Sequence, residues 1–99
     1  MSVIKGVLLE ERERNLLMQN QYLKEIAALP KGSIVKKIKP SGIYFYLAYR
    51  NGNKVVSDYL GTDIEKVEQV RQAIEKRKHL ESLIKRLNEE LKLIAKAVK

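Results

Sequence analysis

From about Val7 to Leu29 the chain holds no Gly or Pro, and Leu9, Leu16 and Leu23 recur every seven residues, with Ile26 and Ala27 continuing the stripe. That spacing sets apolar side chains along one face of an α-helix. Arg12 and Gln19 fall at would-be core positions and interrupt the seam. Leu29-Pro30-Lys31-Gly32 then ends the helix, because proline lacks the amide proton a helix needs and disfavours helical geometry at the residue before it.

The period changes in the middle third. Residues 33–39 (SIVKKIK), 43–50 (IYFYLAYR) and 53–60 (NKVVSDYL) are rich in β-branched and aromatic residues. Pro40-Ser41-Gly42 and Asn51-Gly52 separate them, and Asn-Gly is a strong hairpin signal. A two-residue loop at Asn51-Gly52 sets Tyr49 opposite Lys54, Leu47 opposite Val56, Phe45 opposite Asp58 and Ile43 opposite Leu60. Period-two alternation then sorts the faces. One carries Ile34, Ile38, Ile43, Phe45, Leu47, Val56 and Leu60, and reads as the core. The other carries Val35, Lys37, Lys39, Tyr44, Tyr46, Arg50, Val55, Ser57 and Tyr59, and is aromatic and basic.

After Gly61, Thr62-Asp63-Ile64-Glu65 has the form of a capping box with Thr62 as the cap. No Gly or Pro follows, so a helix over residues 63–98 reaches roughly 54 Å at 1.5 Å per residue. Val70, Arg77, Ile84, Leu91 and Val98 occupy one heptad core position, and Ala73, Leu80, Leu87 and Ile94 the other, with only Arg77 out of character. The expected architecture is therefore α+β in one domain over residues 1–99. It comprises an N-terminal helix (about 7–29), a three-stranded antiparallel β-meander (about 33–60) and a long C-terminal helix (about 63–98). The helices are expected to pair as an antiparallel coiled-coil-like hairpin. The second helix is the longer, so an apolar stripe of Ile84, Leu87, Leu91, Ile94 and Val98 is left without a partner. Such a stripe predicts a homo-oligomer, in the simplest case a dimer.

The run Leu29-Pro30-Lys31-Gly32-Ser33-Ile34, then Ile43-Tyr44-Phe45-Tyr46-Leu47-Ala48-Tyr49-Arg50, Gly52 and Tyr59-Leu60-Gly61 resembles a family of small uncharacterised prokaryotic proteins. In that family an "LPKGSI" opening, a "YYYLxYR" strand and a "YLG" exit lie between two charged helices. The resemblance spans nearly the whole chain and implies the architecture without an activity. The meander followed by a helix also looks like the arm-type DNA-binding domain of phage integrases, and "YLG" after a tyrosine-rich hairpin appears near the start of some transposases. That likeness implies contact roles for Lys37, Lys39, Tyr44, Tyr46 and Arg50. The long helices and the lack of a recombinase catalytic domain depart from it.

Charge sharpens the choice of partner. The 99 residues carry 20 Lys and Arg against 12 Asp and Glu, a formal net charge of +8. Residues 1–30 balance four acids with four bases, residues 31–62 set six bases against Asp58 alone, and residues 63–99 set ten bases against seven acids. The positive field centres on the meander and favours polyanions, since lysine and arginine release counterions when they neutralise phosphates. Lys37, Lys39, Tyr44, Tyr46, Arg50 and Tyr59 are accordingly the candidate nucleic-acid contacts, with DNA ahead of RNA. A solvated face or a protein contact accounts for the same residues, and the alternative function is a protein-interaction or assembly module.

Catalysis is not expected. The only histidine, His79, lies in a charged helical run, and the chain has no cysteine and no acidic loop with calcium spacing. Asp58, beside Phe45 in the expected register, reads as a cross-strand ion pair with Lys36. No metal, cofactor or small-molecule substrate is expected. With no membrane-length apolar run and no signal-peptide pattern, the expected setting is the cytoplasm.

Overall fold

The computed structural model describes residues 3–98. In chain order the elements are α1 (Val3–Ala27), β1 (Ser33–Lys39), β2 (Gly42–Asn51), β3 (Lys54–Gly61) and α2 (Ile64–Ala97). The fold is α+β, with two helices flanking an antiparallel sheet of order β1-β2-β3. Two compact units divide it. One combines α1 with the part of α2 from Lys78 onward, and the other runs from Leu29 to Arg77.

Within the second unit, β1 and β2 pair as expected, from Ser33 opposite Ala48 to Ile38 opposite Ile43 and Lys39 opposite Gly42, which leaves Pro40 and Ser41 as the turn. The β2–β3 register differs from the expectation. Asn51 pairs with Lys54, Leu47 with Asp58 and Tyr46 with Tyr59, so the loop is Gly52-Asn53. Gly52 has φ +64° and Asn53 does not have positive φ. This is the pattern of a type II′ turn, with glycine first, where Asn51-Gly52 would have required positive φ at both residues. Each β3 residue therefore slides two places along β2, which preserves the faces. A bulge between Phe45 and Tyr46 lets Gly61 rather than Leu60 pair with Phe45.

The slide changes the partner of Asp58. It now stands opposite Leu47 while Lys36 stands opposite Phe45, and the expected Lys36–Asp58 ion pair does not form among the described residues. The carboxylate instead accepts the hydroxyl of Tyr49. That hydrogen bond comes first, and the neighbouring negative charge second, in raising the Tyr49 phenol above its ordinary value.

The supposed core face of the sheet is only half-covered, and at its outer end Ile38 and Ile43 remain 75% and 44% exposed. Deep burial is found in the helices instead, at Ile26, Val67, Ile74, Leu80 and Ile94. Helix α2 is capped by Asp63 rather than Thr62. The Glu65 amide donates to Asp63 Oδ1 at 3.0 Å and the Val67 amide to the Asp63 carbonyl at 3.1 Å. Arg77 fits its seam position because its guanidinium donates to the Leu29 carbonyl at 2.7 Å, meeting an acceptor just past the end of α1.

In the helical unit α1 and α2 run antiparallel, and the inner face of α1 is not the Leu9, Leu16, Leu23 stripe. The residues one position earlier, Leu8, Asn15 and Tyr22, turn inward, while Leu16 and Leu23 are about half exposed. Asn15 is 1% exposed, its amide donates to the Leu87 carbonyl at 2.9 Å, and the Gln19 amide donates to Asn15 Oδ1 at 2.8 Å. Two adjacent heptad stripes compete on α1, and the one with a satisfiable polar group wins.

The expected overhang of α2 is absent, because α1 starts at Val3 and only the part of α2 beyond Arg77 belongs to this unit. Ile94 is buried, and Ile84, Leu87, Leu91 and Val98 are half-covered rather than free. No described helix is long and apolar enough to cross a membrane.

Candidate nucleic-acid interface

The candidate contacts come together because strand alternation and the two pairings put them on one face. Tyr44 and Tyr46 are two apart on β2, Tyr59 lies directly opposite Tyr46 on β3, and Lys37 lies directly opposite Tyr44 on β1. The Tyr46 and Tyr59 ring centroids are 5.4 Å apart at an interplanar angle of 52°, and those of Tyr44 and Tyr59 are 6.4 Å apart at 44°. Both spacings fall within the range of interacting aromatic pairs, at tilts between stacked and edge-to-face. The slid register makes this cluster. Under the expected one, Tyr44 rather than Tyr46 would have stood opposite Tyr59.

Each lysine leans diagonally onto a ring one rung away. Lys37 Nζ lies 4.6 Å from the Tyr46 centroid, and Lys39 Nζ lies 5.5 Å from the Tyr44 centroid. Both distances are within cation–π range. The positive charges are thus held over the face and not extended at random. Neither ring surrounds its ammonium, and Lys37 and Lys39 are exposed. Tyr59, the most open ring of the cluster, is 57% exposed.

Arg50 shares the face but not the cluster. It pairs with Val55, and Ala48 and Ser57 separate it from the Tyr46 row by about 13 Å, at ~3.4 Å per residue. Val35 and Val55 supply exposed apolar surface between the charges. One contributor is not evident from residue type. Ser41 Oγ and the Tyr44 hydroxyl share a hydrogen bond of 2.7 Å, which occupies the Tyr44 hydroxyl and steadies its ring. The signal for it is a turn serine three residues before a strand tyrosine.

The arrangement offers two cations lying over rings, one open aromatic ring and a third cation further along, a set suited to phosphates and flat bases. His79 is exposed on α2. Among the described residues no three His, Cys, Asp or Glu side chains gather as a metal site.

A family model for a domain of unknown function, DUF6788, matches residues 8–72. The chain belongs to that family. The match runs from α1 through the whole sheet into the first turns of α2, so every residue of the candidate face lies inside the DUF6788 region. No curated protein and no solved structure matches the chain.

Proposed function

We propose that this protein is a non-enzymatic nucleic-acid-binding protein of the cytoplasm, with DNA ahead of RNA. It uses the sheet face built from Lys37, Lys39, Tyr44, Tyr46, Tyr59 and Arg50. The observation that carries the reading is the pair of lysine ammoniums laid across tyrosine rings on an uncovered face. It is supported by charge, since no acidic residue occurs between Glu25 and Asp58. Lysines and Arg50 neutralise phosphates, and Tyr59 takes a base or sugar against its ring.

The test is binding of duplex and single-stranded DNA and RNA as salt is raised, comparing wild type with a Lys37→Ala, Lys39→Ala, Arg50→Ala variant. With about 0.9 counterions released per phosphate contact, the triple variant lowers the slope of log affinity against log salt by about three. Absence of binding at low salt sinks the proposal.

A second part of the reading is self-association through the helical unit. Leu9 and Leu16 of α1 line a cleft of about 510 Å³ with Leu91, Ile94 and Val98 of α2, which leaves part of the apolar seam accessible. If the sheet face fails to bind nucleic acid, this cleft favours the alternative of a protein-assembly module.

A further inference from the structure

The β1–β2 hairpin runs past β3. The last β2 residue paired with β3 is Phe45, whereas Gly42, Ile43 and Tyr44 pair only with Lys39, Ile38 and Lys37. The sheet therefore ends in a two-stranded finger about 10 Å long at ~3.4 Å per residue. Lys37, Lys39 and Tyr44 occupy one side. The other side carries Ile38 directly opposite Ile43, at 75% and 44% exposure, with Lys36 on the next rung.

The tip is braced. Pro40 fixes its own φ in the turn, the Ser41 hydroxyl bonds the Tyr44 hydroxyl at 2.7 Å, and the Lys39 ammonium lies over the Tyr44 ring. Two β-branched residues face one another at this tip; the pair stabilises the hairpin, yet Ile38 leaves most of its side chain in solvent.

We propose that this finger is a wedge. Resting on the nucleic-acid reading above, it enters duplex DNA from the minor groove, presses Ile38 or Ile43 between base steps and bends the helix. Isoleucine is among the side chains that unstack a base step, and a wedge entering from the minor groove opens the step on that side and bends the duplex toward the major groove. The complementary charge comes from Lys36, on the same side as the isoleucines, with Lys37 and Lys39 on the opposite side of the same narrow ribbon, so that cations border the apolar pair on both sides and meet the phosphates that line a groove. A single inserted side chain suffices to unstack a step. Two isoleucines bury too little apolar area to anchor a protein on a lipid surface, which favours DNA over an anionic membrane as the occupant.

The experiment uses the full chain with a short duplex labelled at both ends, reading affinity by anisotropy and end-to-end distance by energy transfer. Wild type is compared with Ile38→Ser and with Ile38→Ser, Ile43→Ser, whose folding is checked by thermal melting. The expected result is that wild type binds and brings the ends together, while the double variant still binds, within about tenfold because the phosphate contacts remain, and no longer shortens the duplex. Binding without shortening by wild type, or unchanged shortening by the folded double variant, overturns the wedge and leaves the nucleic-acid reading intact. Failure of wild type to bind any duplex at low salt overturns both. Wild-type binding to phosphatidylserine vesicles but not to duplex, lost in the double variant, assigns the tip to lipid and overturns the wedge.

Discussion

Gly32 begins the approach of β1 to β2 with φ +117°, and a Cβ there would run into the Ala48 carbonyl oxygen and lie 2.9 Å from the Tyr49 Cβ. Both the backbone angle and the space call for glycine, which gives the Pro-Lys-Gly-Ser run a structural cause. Gly32→Ala is expected to cost about 1–3 kcal/mol, read as a lower midpoint in urea unfolding. A variant as stable as wild type would mean that the strand start can shift to make room. Tyr49 supplies a second test. Its phenol is held above the ordinary value by the Asp58 carboxylate, so the fold favours the protonated ring. That contribution is present below the unfolded phenol pKa and lost as pH rises through the folded value. Asp58→Asn should bring one tyrosine back to ordinary ionisation in an alkaline absorbance titration. The stability difference between the two proteins should narrow as the solution passes through the phenol range.

The helices show how an element can be legible while its orientation is not. Both helices and all three strands follow from periodicity and from the Pro and Gly punctuation, with ends within a few residues. The inner face of α1 does not follow, because Leu9, Leu16 and Leu23 sit beside an equally regular stripe of Leu8, Asn15 and Tyr22. Choosing between them requires knowing that the Leu87 carbonyl accepts the Asn15 amide, a contact between residues 72 positions apart. The same limit applies to α2. Ile74 is buried with Val67, Leu80 is buried six residues after Ile74, and the seam slips by one place near Arg77, where a strict heptad would have continued. Asn15→Ala should destabilise the protein by ~1–3 kcal/mol, since it strips Gln19 of its acceptor and leaves a void. Asn15→Leu removes the polar group without opening that void. It is expected to keep or raise the unfolding midpoint while broadening the set of helix pairings, seen as extra species in sedimentation.

Across the molecule, the candidate face was legible as a set because sliding β3 by two residues leaves side-chain parity intact, whereas its internal contacts depend on the register that the Gly52-Asn53 turn selects. The α2 stripe expected to lack a partner is half-covered, because that expectation assumed where α1 begins, and Leu91 and Val98 still line the cleft. The most open leucine of the helical unit is instead Leu17, at 71%. Sedimentation over a range of concentrations is expected to show an apolar dimer whose affinity changes little with salt and which Leu16→Glu, in the half-exposed wall of the cleft, abolishes. A protein monomeric at all concentrations would remove self-association from the proposed function. The bond from Arg77 to the carbonyl of Leu29 joins positions 48 residues apart. The segment between them, the three strands with the first turns of α2, is closed at its two ends by that bond, as an exchangeable cassette is. Recombination would exchange it for another segment whose ends meet at that distance, and bring in a different fingertip with it.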